Sequence, residues 1–431
     1  MTVTIKKMSA GKGYEYLLRT VAAGDGDRSL STPLTRYYTE AGTPPGRWMG
    51  SGVTSLESHI AQGDEVTEEQ LKLLIGEGKH PVTGEHLGRA YRKFKPVDDG
   101  KQRHPVAGYD FTFSIPKSAS VLWAVADGGT QAIIADAHHA AVAEVLDFME
   151  REVIATRAGA KGPKGGVAHL DVTGVIATAF DHYDSRASDG AWRTVDGTPL
   201  HAWVVALSEL HEAVFSDHLT RALGVGWERR PRGRDRNPAW EVATVPQSLV
   251  EEFSGRSHDI NTETDRLIEA YVANHGRRPR PATIMKLRAQ ATIATRPEKH
   301  VHSLADLTTA WRRRTAEHLD ADAVAWASQA TTNPLRRLLR ADDVPLDVIE
   351  EMGRTVVTAV GEKRSTWRRP NLYAEAARQT IGWRFASTTD REASSAWSST
   401  RPSRDRCASP HLSSPPRRKR SPEMTAPAPS G

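Results

Sequence analysis

Hydrophobic and polar positions alternate most clearly over residues 108–114. Aromatic side chains stand at Tyr109, Phe111 and Phe113, and polar residues, of which Asp110 is the first, occupy the positions between them. A period of two predicts a β-strand with one aromatic face and one polar face. Because an unpaired carboxylate is costly to bury, Asp110 is either placed for function or lies on the wet face of an edge strand.

Other segments have a readable pattern too. Apolar or alternating runs predict strands at residues 3–7 and 170–180, and apolar residues recurring on one face predict helices at residues 131–155 and 207–223. From about residue 246 onward the pattern is mostly helical, with basic helix faces. This order predicts a mixed helix-and-strand unit followed by a helical extension.

The composition indicates a polyanionic binding partner. The chain of 431 residues has 58 Lys and Arg against 53 Asp and Glu, a formal net charge of +5. Arginines cluster at residues 229–236, 277–280, 312–314 and 336–340. Each cluster alone is typical of a solvated surface, but together they favour nucleic acid. The arginines of these clusters that we assign to DNA binding are Arg232, Arg234, Arg236 and Arg278.

The rest of the composition excludes other classes of protein. The single cysteine, Cys407, excludes a disulfide framework and a thiolate metal cluster. No apolar run approaches the length that crosses a membrane, and the first residues lack a signal-peptide core. We therefore expect a cytoplasmic protein without a membrane partner. No Gly-x-x-x-x-Gly-Lys-Ser/Thr loop occurs, so we expect no ATP site and no helicase motor.

Residues 110–118 carry a family resemblance. They resemble the Asp-x-Thr-Phe-Ser-x-Pro-Lys-Ser signature of conjugative relaxases of the TrwC/TraA (MobF) type. Members of this family nick one strand of plasmid DNA at a transfer origin and stay attached to it through a 5′-phosphotyrosyl bond. The resemblance runs from about Met8 to about Ala393, and weaker matches occur in the family's order at residues 37–48, 81–88, 182–186, 253–257 and 286–299.

The resemblance implies a fold and a domain order. The fold would be α+β, an antiparallel five-stranded sheet of the HUH relaxase type with helices on one side, followed by a mostly helical extension. We assign residues 1–245 to a relaxase-like catalytic domain and residues 246–345 to a helical DNA-binding extension. Residues 346–392 resemble the first part of a helicase domain. Residues 393–431 form a basic Ser/Pro-rich tail with too little apolar content to fold.

Tyrosine is the nucleophile that the resemblance implies. Its linkage to phosphate is reversible, so the same bond can later rejoin strands. Family nucleophiles come from an N-terminal tyrosine pair after a Ser-Ala-Gly-like turn and from a second pair further on. An ungapped count from the turn at residues 9–11 favours Tyr16, with Tyr14 as the close alternative. Tyr37 and Tyr38 resemble the second pair. The competing interpretation makes Tyr14 or Tyr16 an ordinary packed aromatic of a helix.

The resemblance also implies a divalent metal ion, Mg or Mn, held by three histidines. His182 matches the first of them, and Asp110 would orient a metal-binding histidine or accept the tyrosine proton. After Arg186, however, the sequence lacks the family's His-x-His pair and the strand that carries it. His138 and His139 do not replace the pair, because neighbours on a helix diverge by about 100°. We therefore expect a sheet short of one central strand and impaired cleavage.

The expected partner is plasmid DNA, single-stranded or folded as a hairpin at a transfer origin, with Lys117 and Arg186 among its contacts. The family also implies relaxosome proteins and the coupling protein of a type IV secretion system. Two other interpretations stay open: a non-catalytic DNA-binding protein, and an inactive remnant of a mobile element. A covalent DNA adduct would exclude both, and a cooperative thermal transition would argue against a remnant.

Overall fold

The computed structural model describes residues 3–15, 46–56, 60–91, 104–158, 168–178, 184–187, 192–193, 195–231, 237–296, 304–332 and 337–394. Within these stretches, only the backbone is described for residues 55, 156–158, 168–178, 184–187 and 192–193.

The strands in this part of the chain form three antiparallel groups. They are β1 (Val3–Ser9), β2 (Trp48–Met49), β3 (Val106–Phe113), β4 (Ala155–Ala158), β5 (Ala168–Thr178), β6 (Asp184–Ala187), β7 (Trp192–Arg193), β8 (Trp227–Arg230) and β9 (Ala239–Val242). Strand β1 pairs with β3, and β8 pairs with β9 in a hairpin. The third group runs β2-β5-β6-β7, with β4 also paired to β5.

The helices dominate the described residues. They are α1 (Glu68–Leu71), α2 (Lys117–Val125), α3 (Gly128–Glu152), α4 (Gly197–Leu223), α5 (Gln247–Glu252), α6 (Gly255–His275), α7 (Pro281–Ala294), α8 (Leu304–Leu319), α9 (Ala323–Thr331), α10 (Leu346–Lys363), α11 (Arg369–Thr380) and α12 (Thr388–Ser394). Short 3-10 turns occupy Lys12–Tyr14, Ser51–Leu56 and Ala341–Asp343, and α1 continues as a π-helical turn at Lys72–Glu77.

Helix α4 lies at the centre of the main hydrophobic core. It packs against α3, α11 and β1, and its Leu207, Phe215 and Leu219 are fully buried. From β3, Tyr109 and Phe111 enter the same core together with residues of α2 and α3. Helices therefore cover the aromatic face of the β1–β3 pair, as the alternating pattern of β3 requires.

The start of β1 is held to α4 by polar contacts as well. The backbone N–H of Val3 donates to Ser208 Oγ at 3.0 Å, and Ser208 Oγ donates to the Val3 carbonyl at 3.2 Å. Both residues are buried. The start of β1 thus lies where it satisfies the Ser208 hydroxyl, which would otherwise be buried without a hydrogen-bond partner.

Helix α4 begins ten residues before the predicted start (207 − 197). Asp196 caps it by accepting a hydrogen bond from the N–H of Thr198 at 3.0 Å. Pro199 stands in the first turn, where its missing N–H is not needed by the helix. Leu200, Trp203 and Val204 continue the buried face of the helix towards its N-terminus, and the cap marks where the helix begins.

The C-terminal helices pack onto α3 and α4. Tyr373 of α11 is 3 % exposed. Its ring centroid lies 4.9 Å from that of Phe148 on α3 and 5.5 Å from that of Trp203 on α4. This aromatic group joins α11 to the main core, which extends well past the mixed helix-and-strand part of the chain.

A buried ion pair fixes the segment that follows α11. The Arg391 guanidinium donates to both carboxylate oxygens of Asp217 at 2.7 and 2.8 Å, and the two side chains are 4 % and 3 % exposed. Asp217 also accepts a hydrogen bond from the N–H of Phe385 at 3.1 Å, and Arg391 donates to the carbonyls of Thr380 and Trp383. Because both charges are paired and hydrogen-bonded, the pair is tolerated inside the core and fixes α12 relative to α4.

The α+β class and the helical stretch after residue 246 are confirmed. Strands predicted at residues 3–7 and 170–180 correspond to β1 and β5, and the helix predicted at residues 131–155 corresponds to α3. A five-stranded relaxase sheet with one strand lost stays a prediction, as do the domain boundaries. Residues after 394 lie outside the described stretches. In those stretches, every helix is too short or too polar to cross a membrane.

We expect Arg391→Ala to lower the free energy of unfolding by about 3–5 kcal/mol, because it leaves the Asp217 carboxylate buried without its partner. The matched control is Arg354→Ala, which removes an exposed guanidinium that lies 2.7 Å from Glu351. Arg354→Ala should lower the free energy of unfolding by at most about 1 kcal/mol. Urea unfolding at constant m-value measures both, and equal losses in the two variants would contradict the role of the buried pair.

Candidate active site

Asp110 lies in the middle of β3, and its side chain projects from the face opposite the helices. Lys6 of β1 stands directly across from it. Strand alternation puts Asp110 and Thr112 on one face and Tyr109 on the other. Asp110 is 4 % exposed, whereas Thr112 is exposed. The polar face is therefore covered at Asp110 and open at Thr112.

The helix side of the same strand holds Tyr109, Gly197 and His201. The rings of Tyr109 and His201 meet edge-on with their centroids 6.0 Å apart. A Cβ at Gly197 would overlap the Tyr109 hydroxyl, so the absence of a side chain there makes room for the ring. Because Tyr109 and Asp110 project from opposite faces, His201 lies on the wrong side of the sheet to act beside Asp110.

A second hydrophobic cluster covers the Asp110 side of the β1–β3 pair. Met8, which shares that face, packs in it with Tyr14 and Trp48. Leu74 belongs to the same cluster and is fully buried. Tyr14 and Asp110 are therefore brought to the same side of the sheet.

Tyr14 itself is packed in this cluster. It is 7 % exposed, and a Cβ on Gly76 would lie 3.5 Å from its ring. Burial raises the pKa of the Tyr14 phenol, and repulsion from Glu68 adds to the rise. This environment disfavours the phenolate that a nucleophile needs. The favoured candidate and the second pair, Tyr16, Tyr37 and Tyr38, lie outside the described residues.

His182 also lies outside the described residues, but the strands on either side of it are placed. Strand β5 ends at Thr178, and β6 begins at Asp184 and pairs antiparallel with β5. The end of β5 also pairs with β2, with Thr178 opposite Trp48. Since Trp48 belongs to the second cluster, the end of β5 lies beside the cluster that also holds Tyr14.

The Pro-Lys-Ser part of the signature begins α2 and is fixed by β9. The N–H and Oγ of Ser118 both donate to Glu241 Oε2, at 2.8 and 2.6 Å, and Ser118 Oγ accepts from the N–H of Val242 at 2.7 Å. Ser118 is fully buried and Glu241 is 5 % exposed. The carboxylate thus satisfies a free donor of the first helical turn and complements its dipole.

Sequence reasoning missed Glu241 as part of this arrangement. It stands 123 residues from Ser118, and no local pattern marks it. Its position between the apolar residues Trp240 and Val242 gives the one available signal, because an acid in such a strand would be costly to bury alone. Gly197 was missed for the same reason, because its neighbour Tyr109 is distant in the chain.

The predicted DNA-binding cations are placed in part. Lys117 is exposed at the start of α2; partial desolvation lowers the pKa of its ammonium, and attraction to Glu241 opposes that shift. Arg278 is exposed in the turn between α6 and α7, two helices that pack against each other. Arg186 lies in β6 opposite Gly174, and only its backbone is described. Outside the described residues, between β8 and β9, lie Arg232, Arg234 and Arg236.

The histidines of α3 and α4 pair with other groups. His211 Nε2 lies 3.2 Å from His138 Nδ1, and His218 Nε2 lies 2.9 Å from Glu144 Oε1. Burial lowers the pKa of His211 to about 3 and that of His138 to about 4, with repulsion from a neighbouring histidine as the second cause. The His138–His211 pair is therefore neutral at physiological pH and serves as a core contact between two helices.

A three-histidine metal site does not fit the described residues. Within those stretches, no group of three or more His, Cys, Asp or Glu side chains lies close enough together to hold a metal ion. His138 and His211 contact each other, and His201 lies across the sheet from Asp110. His182 stays a predicted ligand.

Comparison with known proteins identifies the family of this chain. The family model described as TrwC relaxase matches residues 10–318. This chain belongs to the TrwC relaxase family. The matched region contains the signature strand, the His182 segment and the N-terminal tyrosines Tyr14 and Tyr16, so the predicted resemblance is confirmed.

Relatives of this TrwC relaxase family member are much longer proteins. The multifunctional conjugation protein TraI of Escherichia coli (strain K12) is 30% identical over 256 residues, which are 52% of this chain and 13% of that protein. A second Escherichia coli TraI is 30% identical over 253 residues, again 52% of this chain and 13% of that protein. The alignment thus spans only a small part of these relatives.

Solved structures of conjugative relaxase TrwC share the fold. A copper-bound complex with oriT DNA has a TM-score of 0.51 at 20% identity, covering 74% of this chain and 99% of that one. A metal-bound oriT complex scores 0.51 at 19% identity, with the same coverages. A complex with a 27-mer DNA comprising the recognition hairpin and the cleavage site scores 0.50 at 20% identity, covering 74% and 100%. At these identities the likeness shows the fold alone.

We expect Ser118→Ala to lower the free energy of unfolding by about 1–3 kcal/mol, because the Val242 N–H loses its acceptor inside the core. Ser120→Ala is the matched control in the same helix, since its hydroxyl donates only to the Pro116 carbonyl at 3.2 Å and is half-buried. Thermal or urea unfolding compares the two variants. A loss in the control as large as that in Ser118→Ala would contradict the proposed tie between α2 and β9.

The stability of the protein should fall as the pH falls below about 6.5 towards about 4. Over that range the unfolded chain binds protons at His138 and His211, whereas the folded chain does not, because burial depresses both pKa values. Between pH 7 and 5 the loss should be roughly 2 kcal/mol or more. His211→Leu should flatten the curve. His258→Gln, which removes an exposed histidine, should leave the dependence of stability on pH unchanged. If His211→Leu shows the same dependence as the wild type, the buried histidines are not its cause.

Proposed function

We propose that this chain binds transfer-origin DNA as a relaxase of the TrwC family. The observation that supports the proposal is the second cluster, which holds Tyr14 and covers the face of the β1–β3 pair that carries the buried Asp110; Trp48 of this cluster pairs with the end of β5. TrwC structures of the same fold were solved with oriT DNA. Plasmid DNA at a transfer origin, single-stranded or folded as a hairpin, is the proposed ligand.

In intact relatives the proposed chemistry is a transesterification. The phenolic oxygen of Tyr16, or of Tyr14 as the alternative, attacks the phosphorus of one phosphodiester. A bond forms between that oxygen and phosphorus, the bond to O3′ breaks, and the products are a 5′-phosphotyrosyl adduct and a free 3′-hydroxyl. The phenol proton passes to Asp110 or to a group that Asp110 orients, and finally to O3′. Tyr37 or Tyr38 would attack in a second round.

We propose further that cleavage is impaired in this chain. The sequence lacks the His-x-His pair after Arg186, and the described histidines do not fit a three-histidine site. A divalent cation, when bound, would neutralise charge on the phosphoryl oxygens; with His182 as its single matched ligand, binding of Mg or Mn should be weak. The direct pairing of β6 with β7 supports the loss of one strand of the relaxase sheet.

Exposed cationic side chains support the DNA-binding part of the proposal. Lys117 projects from the start of α2, and Arg278 projects from the turn of the α6–α7 hairpin. The segment between β8 and β9 and strand β6 contribute the other predicted contacts, Arg232, Arg234, Arg236 and Arg186. Relaxosome proteins and a type IV coupling protein are the further partners that we propose from the family alone.

Salt-dependent binding tests the DNA contacts. Fluorescently labelled transfer-origin hairpins should bind, and each of Lys117→Ala and Arg278→Ala should weaken binding and reduce the slope of log K against log salt by about one. Arg354→Ala removes an exposed arginine on α10 and should leave both quantities unchanged. Equal affinity for DNA hairpins and for heparin would contradict the proposed function.

A non-catalytic DNA-binding protein is the second candidate, favoured by the missing His-x-His pair. The same preparation is incubated with supercoiled plasmid bearing the transfer origin, with Mg²⁺ or Mn²⁺. A covalent adduct that disappears in Tyr16→Phe would show cleavage and exclude this candidate. Hairpin binding without any adduct, unchanged when all four candidate tyrosines become Phe, would establish it. A chain with no cooperative thermal transition would instead indicate a remnant.

A further inference from the structure

The β8–β9 hairpin, residues 227–242, carries part of the largest arginine cluster and is contacted on both faces. Alternation places Glu241 on one face, and that residue is hydrogen-bonded to Ser118 of α2. The other face presents Trp227, Arg229 and Trp240, and Arg229 is exposed. The first face is thus tied to the signature turn. The second face is held in part by α4, where Trp227 Nε1 donates to Thr220 Oγ1 at 2.9 Å.

The segment between α11 and α12 covers the second face. The guanidinium carbon of Arg384 lies 5.4 Å from the ring centroid of Trp227 and 5.9 Å from that of Trp240. A Cβ on Gly382 would lie 3.1 Å from Cη2 of Trp240, so the backbone approaches the indole closely. Both indoles at the base of the hairpin are therefore in contact with this segment.

The segment is itself fixed to the core. Arg391 is paired with the buried Asp217 of α4 and lies 4.8 Å above the Phe385 ring. On the other side, the N–H of Leu339 donates to the Arg384 carbonyl at 2.8 Å. Arg384 is thus held by the hydrogen bond from Leu339 to its carbonyl and by the contacts of Phe385 and Arg391, which follow it in the chain. The segment lies beyond residue 318, where the match to the family model ends.

We infer that residues 381–391 position the β8–β9 hairpin for DNA, with Arg384 as the positioning residue. A hairpin of two four-residue strands is only marginally stable by itself. Its orientation therefore depends on the residues that contact its base. Contacts from both faces pre-organise the hairpin and reduce the ordering that DNA binding would otherwise require. The inference rests on the proposed DNA-binding function.

Hydrogen exchange on the free full-length chain tests the support without DNA. Arg384→Ala should speed exchange at residues 227–230 and 239–242 about three- to tenfold, as expected when the cation–π contacts to Trp227 and Trp240 are lost. Exchange in α3 should not change. Arg354→Ala, which removes an arginine from the same C-terminal part of the chain, should leave the hairpin protected. Unchanged hairpin exchange in Arg384→Ala would overturn the inference, whatever happens to DNA binding.

DNA binding then tests the consequence. Arg384→Ala should weaken binding of a transfer-origin hairpin about tenfold while leaving the salt slope unchanged, since no phosphate contact is removed. Gly382→Val displaces Trp240 without changing charge and should have the same effect. A salt slope reduced by about one in Arg384→Ala, with normal binding in Gly382→Val, would show that Arg384 contacts phosphate directly and would overturn the positioning role.

Two further outcomes separate the inference from the proposed function. Faster hairpin exchange with unchanged affinity in both variants would overturn the positioning role and leave the DNA-binding function standing. A wild-type chain that shows no preference for DNA over heparin would contradict the function and, with it, the role assigned to Arg384 in binding. Faster exchange together with weaker binding in both variants supports the inference.

Discussion

Helix α4 is buried on most of its surface, and every polar side chain that it carries into the core needs a partner from another element. This constraint organises the structure, because an unsatisfied buried group costs more than a typical hydrogen bond contributes. Ser208 is satisfied by the backbone of β1 and Asp217 by Arg391 beyond α11, and His211 pairs through Nε2 with His138 of α3 while its Nδ1 finds no partner among the described residues. The helix therefore determines where a strand, a helix and a C-terminal segment dock.

The same constraint positions the candidate site from a distance. Strand β1 is aligned by Ser208, and β1 in turn fixes the register of β3, so that Asp110 faces away from the helices. On that side the second cluster brings Met8, Tyr14 and Trp48 together. Asp110 and Tyr14 lie on the same side of this pair of strands because the two hydrophobic clusters pack against opposite faces of it.

Buried carboxylates link the signature turn to distant parts of the chain. Glu241 joins the start of α2 to the β8–β9 hairpin, and the Asp217–Arg391 pair joins α4 to the segment that contacts the other face of that hairpin. In each case a charge is tolerated in the core because it receives several hydrogen bonds. Family membership, established for residues 10–318, therefore describes less than the full extent of the folded unit.

Local periodicity determined much of the fold. The alternation around Asp110, the apolar face of α3 and the helical stretch after residue 246 were predictable, because side-chain direction repeats with a period set by the backbone itself. The signature at residues 110–118 was also sufficient to indicate the family. The first part of α4 was missed, although Leu200, Trp203 and Val204 continue its buried face and Asp196 caps its first turn.

Only the tertiary structure decided which distant groups meet. Glu241 with Ser118, His211 with His138 and Arg391 with Asp217 are each separated by more than 70 residues. No short-range pattern encodes such pairs, since any buried polar group can be satisfied by any element that folds against it. The burial of Tyr14 and the distance of His201 from Asp110 likewise depend on which face of the sheet each element covers, and that is a property of the assembled core.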